Sequence, residues 1–228
     1  MSAADATDGA AATRALEAAA ERLRVPARGL DRLAAYVAAV VDENTRINLT
    51  GAKTLDAALE VLAVDSMPLA RAWPHGRAPR RVVDLGTGNG LPGVAAAVFW
   101  PEAEVVLVER REKKARAVER CLAAAGFAHV RVAACDGREL LRVRPDLARA
   151  VDLVTVRAVG DLAPTTREAA PWLARGGRIV HWKAGALDPA ERVAGDEAAR
   201  ATGLSTEPDV EFELGSGAKR RLVVYAAR

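Results

Sequence analysis

Residues 81–93 read RVVDLGTGNGLPG. An apolar run of the buried-strand type, Arg81–Leu85, passes straight into a turn holding four glycines and a proline in eight positions, more than a tight turn alone requires. Gly86, Gly88 and Gly90 can adopt positive φ and carry no side chain, so the backbone there is able to approach a ligand closely. Asp84 sets a carboxylate at the strand end, and Pro92 fits an early position of a following helix. A ligand of this turn would lie outside the carboxyl end of the strand. The stretch also contains Gly88-x-Gly90-x-x-Gly93, a formal match to the dinucleotide-binding fingerprint, which is weak when it stands alone.

Downstream, short apolar runs recur at Glu104–Val108, 130–134, 151–156 and 178–182, with helix-length segments between them. That alternation predicts a parallel sheet. Residues 210–214, a Gly-Ser-Gly turn and residues 221–225 read instead as an antiparallel hairpin. A seven-stranded, mostly parallel sheet closed by such a hairpin predicts an α/β fold of the Rossmann-like, class I S-adenosylmethionine-dependent methyltransferase type over residues 77–228. A plain dinucleotide-binding fold more often continues with parallel strands and a second domain. Upstream, residues 13–24 and 27–43 carry apolar residues at helical spacing, with Leu30, Leu33, Val37 and Val40 on one face. Thr54 is placed to cap a helix running toward Trp73. Residues 13–76 are therefore expected to form a helical extension, and the small, polar residues 1–12 an unordered tail.

The chain has 228 residues, half hydrophobic and 28% charged, an ordinary globular composition with room for a sizeable core. No run of roughly 18 uncharged apolar residues occurs, and the N-terminus lacks the apolar stretch of a signal peptide. These features predict a cytoplasmic protein without a membrane span; no internal repeat is present, and a monomer is expected. Cys121 and Cys135 show no metal-ligand spacing and read as small buried apolar residues, so no metal is expected. The net charge is only +3, but the basic residues are mostly arginines, which suit bidentate phosphate contacts. Local clusters matter more than this bulk value.

Glu109 ends the second strand, where a carboxylate can accept from both ribose hydroxyls of a nucleoside, with Arg110 beside it to cover the adenine. Asp136, Gly137 and Arg138 follow the third strand, where an acidic or backbone group can meet the adenine amino group. Arg157 closes the fourth strand and Lys183 the fifth. In a parallel sheet both reach the edge that carries the glycine turn, which favours an anionic substrate. Lys219, Arg220 and Arg221 make a basic cluster at the start of the last strand. Each has a plainer alternative: a helix cap for Glu109, an Asp-Gly turn at 136–137, exposed loop cations, and charged guards of an edge strand. The run RREKKARAVER from Arg110 reads mainly as a charged helix face.

Together these residues resemble the bacterial small-subunit ribosomal RNA guanine-N7 methyltransferases, the RsmG family, also known as glucose-inhibited division protein B. The resemblance spans nearly the whole chain: Asn48-Leu49-Thr50, Asp65-Ser66, DLGTGNGLPG, Arg157-Ala158, Lys183 with Gly185, and RRLVVY. It implies an S-adenosylmethionine site at Gly86, Leu91, Glu109, Arg110, Arg111, Gly137, Arg138 and Arg157. It also implies a guanine in 16S ribosomal RNA or the small subunit as acceptor, with Asn48, Lys183 and Arg220 toward the RNA. The chain departs from the family pattern at Leu62, where His is common, and at Asp136, where Arg is common; Arg138 and Arg131 stand near enough to compensate.

Guanine N7 keeps a free lone pair at neutral pH, so its attack on a sulfonium methyl needs no general base. No catalytic base is expected, and none of His75, His129 and His181 lies in a catalytic motif. Catalysis would rest on alignment. Trp73, Trp100, Trp172 and Trp182 read mostly as core. Rival readings are a methyltransferase with a small-molecule or protein acceptor, a non-catalytic RNA-binding protein of the same fold, and an NAD-dependent oxidoreductase.

Overall fold

The computed structural model describes residues 3–228, with side chains from Asp8 onward. Helix α1 (Ala3–Leu23) buries Ala12, Leu16, Ala19, Ala20 and Leu23, the i, i+4, i+7, i+8 spacing of one helix face. It starts ten residues before Thr13, so the described part of the expected unordered tail is helical. Helix α2 (Leu30–Glu43) follows Gly29, whose φ is 68°, and buries Leu30, Leu33, Val37 and Val40 together. Its last residue, Glu43, is buried and accepts from Arg120 at 2.5 and 3.2 Å, tying the extension to helix α6 (Glu112–Ala124).

Thr54 caps helix α3 (Leu55–Ala58), its hydroxyl accepting from the Ala57 amide at 3.3 Å. The expected helix toward Trp73 runs unbroken only from Leu55 to Ser66 and is interrupted by a turn at Met67 and Pro68. Residues Leu59–Val64 widen into a π-turn, and after a turn ending at Pro68 a short helix α4 (Leu69–Ala72) carries the chain on. Proline cannot supply the amide that would continue the ladder, and π-turns leave backbone carbonyls facing outward.

The sheet comprises β1 (Arg81–Leu85), β2 (Glu104–Val108), β3 (Arg131–Ala133), β4 (Val151–Arg157), β5 (Leu173–Ala184), β6 (Leu204–Thr206), β7 (Val210–Glu213) and β8 (Lys219–Ala227). Its order is β3-β2-β1-β4-β5-β8-β6, with β7 also pairing β8. The first five strands are parallel, and β8 runs antiparallel to β5. Eight strands thus fill seven sheet positions, one more strand than the sequence spacing predicts. β6 pairs the C-terminal half of β8 and β7 its N-terminal half, and Pro208 falls in the gap between them, where a ladder donor would be missing.

One face of the sheet packs against α6 and helix α5 (Gly93–Phe99), and α1 and α2 pack on these helices and on the π segment to extend the same core. The other packs against helices α7 (Leu140–Val143), α8 (Leu162–Ala169) and α9 (Pro189–Ala201). All four tryptophans are buried. On the second face His181 of β5 is buried between the hydroxyls of Thr165 and Thr166, at 3.4 and 3.1 Å. Burial, with Lys183 nearby, pushes its pKa down to about 3.

The unfolded chain takes up this proton below about pH 6.5 and the folded state refuses it. Stability from the neutral ring is therefore complete above that pH and is lost as pH falls toward 3. Urea unfolding of the protein and of His181→Gln between pH 4 and 7 should differ in slope by up to about 1.4 kcal/mol per pH unit. Parallel slopes would mean that His181 is not the buried titrating group.

Candidate active site

β1 delivers Asp84 into the interior, where its carboxylate accepts from Thr87 and Thr155, each at 2.5 Å. Burial raises this carboxyl, against the lowering pull of those hydroxyls and the Gly93 amide. Asp84 thus fastens the glycine turn to β4 from beneath and does not line the cavity above. Gly86 and Gly88 hold φ of 64° and 60°, and a Cβ on Gly86 would stand 2.5 Å from the Val159 side chain. Gly90 answers a different need: a Cβ there would overlap the Tyr36 hydroxyl, which donates to the Asn89 carbonyl at 2.9 Å. Its requirement for glycine comes from α2 packing under the turn, so Gly90 and Leu91 support the site from below.

Above the turn lies a cavity of about 550 Å³ at the carboxyl ends of β1 to β4, within the usual range for small-molecule sites. Gly86, Gly88, Glu109, Arg110 and Arg111 line one side. Asp136, Gly137 and Arg138 line the far end. Glu109 accepts from the Gly88 amide at 3.2 Å and the Arg111 amide at 2.8 Å, so its carboxylate is fixed against the turn with lone pairs left for hydroxyl donors. Asp136 caps the Gly137–Glu139 turn and pairs with Arg138 through 2.8 and 3.0 Å bonds, which hold its carboxyl down at about 2. Lys114, Val159, Gly160, Thr165 and Glu168 also line it and carry no sequence signal of their own. Cys135, expected in the core, is half-buried and lines the cavity, whereas Cys121 is buried as expected.

Arg157 does not enter this cavity. Its guanidinium bonds to Asp65 at 3.1 Å, to Asn89 at 3.2 Å and to the Val61 carbonyl at 3.3 Å. Arg220 donates to the other Asp65 oxygen at 3.1 Å, and the Trp182 indole donates to the Asp65 carbonyl at 2.9 Å. Burial raises the Asp65 carboxyl while both arginines draw it down. Lys183 is one residue beyond Trp182 and so lies on the opposite face of β5, bonded to Glu191 at 2.5 Å and to the Gly160 carbonyl at 3.0 Å. The expected convergence of Arg157 with Lys183 is therefore a convergence of Arg157 with Arg220. Asn48 is exposed, on a loop held by Asn44, whose amide oxygen accepts from Leu49 and Thr50.

The strand order, the glycine turn after β1 and the fixed carboxylate ending β2 define a class I, Rossmann-like methyltransferase. A predicted O-methyltransferase from Agrobacterium tumefaciens is similar at TM-score 0.56 and 27% identity, over 71% of this chain and 80% of that one. The geranyl diphosphate C-methyltransferase of Streptomyces coelicolor, solved with S-adenosyl-L-homocysteine, shares the fold at TM-score 0.55 and 16% identity, covering 73% and 79%. The family described as GidB, rRNA small subunit methyltransferase G, matches residues 30–212. Ribosomal RNA small subunit methyltransferase G of Deinococcus deserti is 35% identical over 93% of this chain and 87% of its own length. The chain belongs to the ribosomal RNA small subunit methyltransferase G family.

Asp65→Ala leaves two partly buried guanidiniums without their anion and should cost about 2–4 kcal/mol in urea unfolding. Double-mutant cycles should show stronger coupling to Arg157, 14% exposed, than to Arg220, 23% exposed; near-zero coupling to both would mean the cluster contributes nothing to folding.

Proposed function

We propose that the protein transfers a methyl group from S-adenosylmethionine to N7 of a guanine in 16S ribosomal RNA, acting as a cytoplasmic monomer on the small subunit or its RNA. Family membership supports the acceptor class. The observation that carries the cofactor reading is the Glu109 carboxylate, held by the Gly88 and Arg111 amides at the mouth of a turn whose glycines leave the space open.

The residues fit such a cofactor. Glu109 accepts from the ribose hydroxyls, Gly86 and Gly88 let the backbone approach the amino-acid tail, and Arg110 covers the adenine. The sulfonium supplies an electrophilic methyl. The protein's part is to align the acceptor and shield the site from water. Arg157 and Arg220, already oriented by Asp65, present N–H groups suited to guanine O6 and to phosphate, while Lys183, held by Glu191 on the opposite face of β5, does not join them. The His181 ring is sealed in the core, where it has no access to substrate.

Incubating the protein with methyl-labelled S-adenosylmethionine and small subunits lacking N7 methylation, with protein-free 16S RNA alongside, should give label in 7-methylguanosine after digestion. Label in another base, or none with either substrate, would refute the reading. Glu109→Ala should weaken S-adenosylmethionine binding by about 1–3 kcal/mol in calorimetry; unchanged affinity would remove Glu109 from the ribose.

A further inference from the structure

We propose that Glu168 of α8 reads the exocyclic amino group of the cofactor's adenine and so selects adenosyl over deaminated, inosyl cofactors; this rests on the S-adenosylmethionine reading above. The cavity ends between the loop after β3 and α8. There Gly137 has no room for a Cβ, because the Glu168 carboxylate and Leu85 occupy the place where it would stand. The missing side chain lets the carboxylate of one element close against the backbone of the other, beside Leu85 at the end of β1.

Two carboxylates line this end, and only one is free. Asp136 accepts from the Arg138 amide at 3.1 Å and from its guanidinium at 2.8 and 3.0 Å, so its oxygens are engaged. Among the described residues none donates a hydrogen bond to Glu168 and no cation pairs with it. A carboxylate that lines a cavity with no protein donor keeps its lone pairs available to a ligand donor. Burial, and then the Asp136 charge, raise its carboxyl against the lowering pull of the Arg138 charge.

Adenine offers an N–H donor at this edge, its 6-amino group. Hypoxanthine carries a carbonyl oxygen there, which a carboxylate repels. Sites built around such a donor reject analogues lacking it strongly, because the protein group is then left unpaired. Glutamine at this position differs in a telling way: its amide oxygen can accept from an amine and its amide nitrogen can donate to a carbonyl.

The test is calorimetric binding of S-adenosyl-L-homocysteine and of S-inosyl-L-homocysteine to the full chain and to Glu168→Gln and Asp136→Asn. The unsubstituted protein should prefer the adenosyl compound by about 30-fold or more. Glu168→Gln should tighten inosyl binding about tenfold while adenosyl binding stays within about threefold, and Asp136→Asn should leave the preference within about threefold. A preference unchanged in Glu168→Gln, or one abolished by Asp136→Asn instead, overturns the assignment. No binding of either compound to the unsubstituted protein would refute the cofactor reading and this inference with it.

Discussion

The carboxylate of Asp65 holds the guanidiniums of Arg157 and Arg220 while its backbone carbonyl takes the Trp182 indole N–H, so β4, β5 and β8 all meet one turn of the helical extension. This turn sits at the end of the π-turn, and the Val61 carbonyl exposed there takes a further Arg157 bond. Through Asn89 the same arginine reaches the glycine turn. A buried ion cluster contributes less to net stability than its bonds suggest, because desolvation opposes them. Its value here is geometric: it fixes the orientation of two cations at the edge where an anionic acceptor would enter.

Asp84 does the corresponding work for the cofactor side. Both of its oxygens are bonded to threonines, so the turn after β1 is anchored to β4 below while Glu109 grips it from β2. The two carboxylates differ in role although both stand at strand ends. One is sealed in the core and the other is open to the cavity. Gly90 adds a third constraint, because only a residue without a Cβ admits the Tyr36 hydroxyl beneath the loop. The glycine turn, the helical extension and the Arg157–Arg220 edge are thus joined by short polar contacts.

The alternation of apolar runs and helix-length segments was enough to read the parallel sheet, because strands buried on both faces are written as continuous Val-rich runs. β6 leaves no such signal, since Leu204–Thr206 is three residues long and held by β8 alone. The interrupted helix after Thr54 was hidden because a π-turn keeps nearly the apolar spacing of an α-helix. At the site, the strand-end positions of Glu109 and Asp136 were legible from local pattern. The Asp65 cluster was not, since its members are separated by 92 and 155 residues and only packing brings them together. Lys183 looked like a partner of Arg157 because strand ends share an edge, but pleating sends them to opposite faces. Glu168 lies on an amphipathic helix whose charged residues look alike in sequence, and only its approach to Gly137 sets it apart.

In the proposed reaction the protein aligns a nucleophile that already carries its lone pair and contributes no general base. Single-turnover methyl transfer to small subunits, with both substrates saturating, measures this directly as a function of pH. A rate constant that is flat between about pH 6 and 9 is the predicted result. A rate that climbs tenfold per pH unit to a plateau in that range would show that a proton must leave before the methyl is transferred, and would contradict N7 attack by alignment alone.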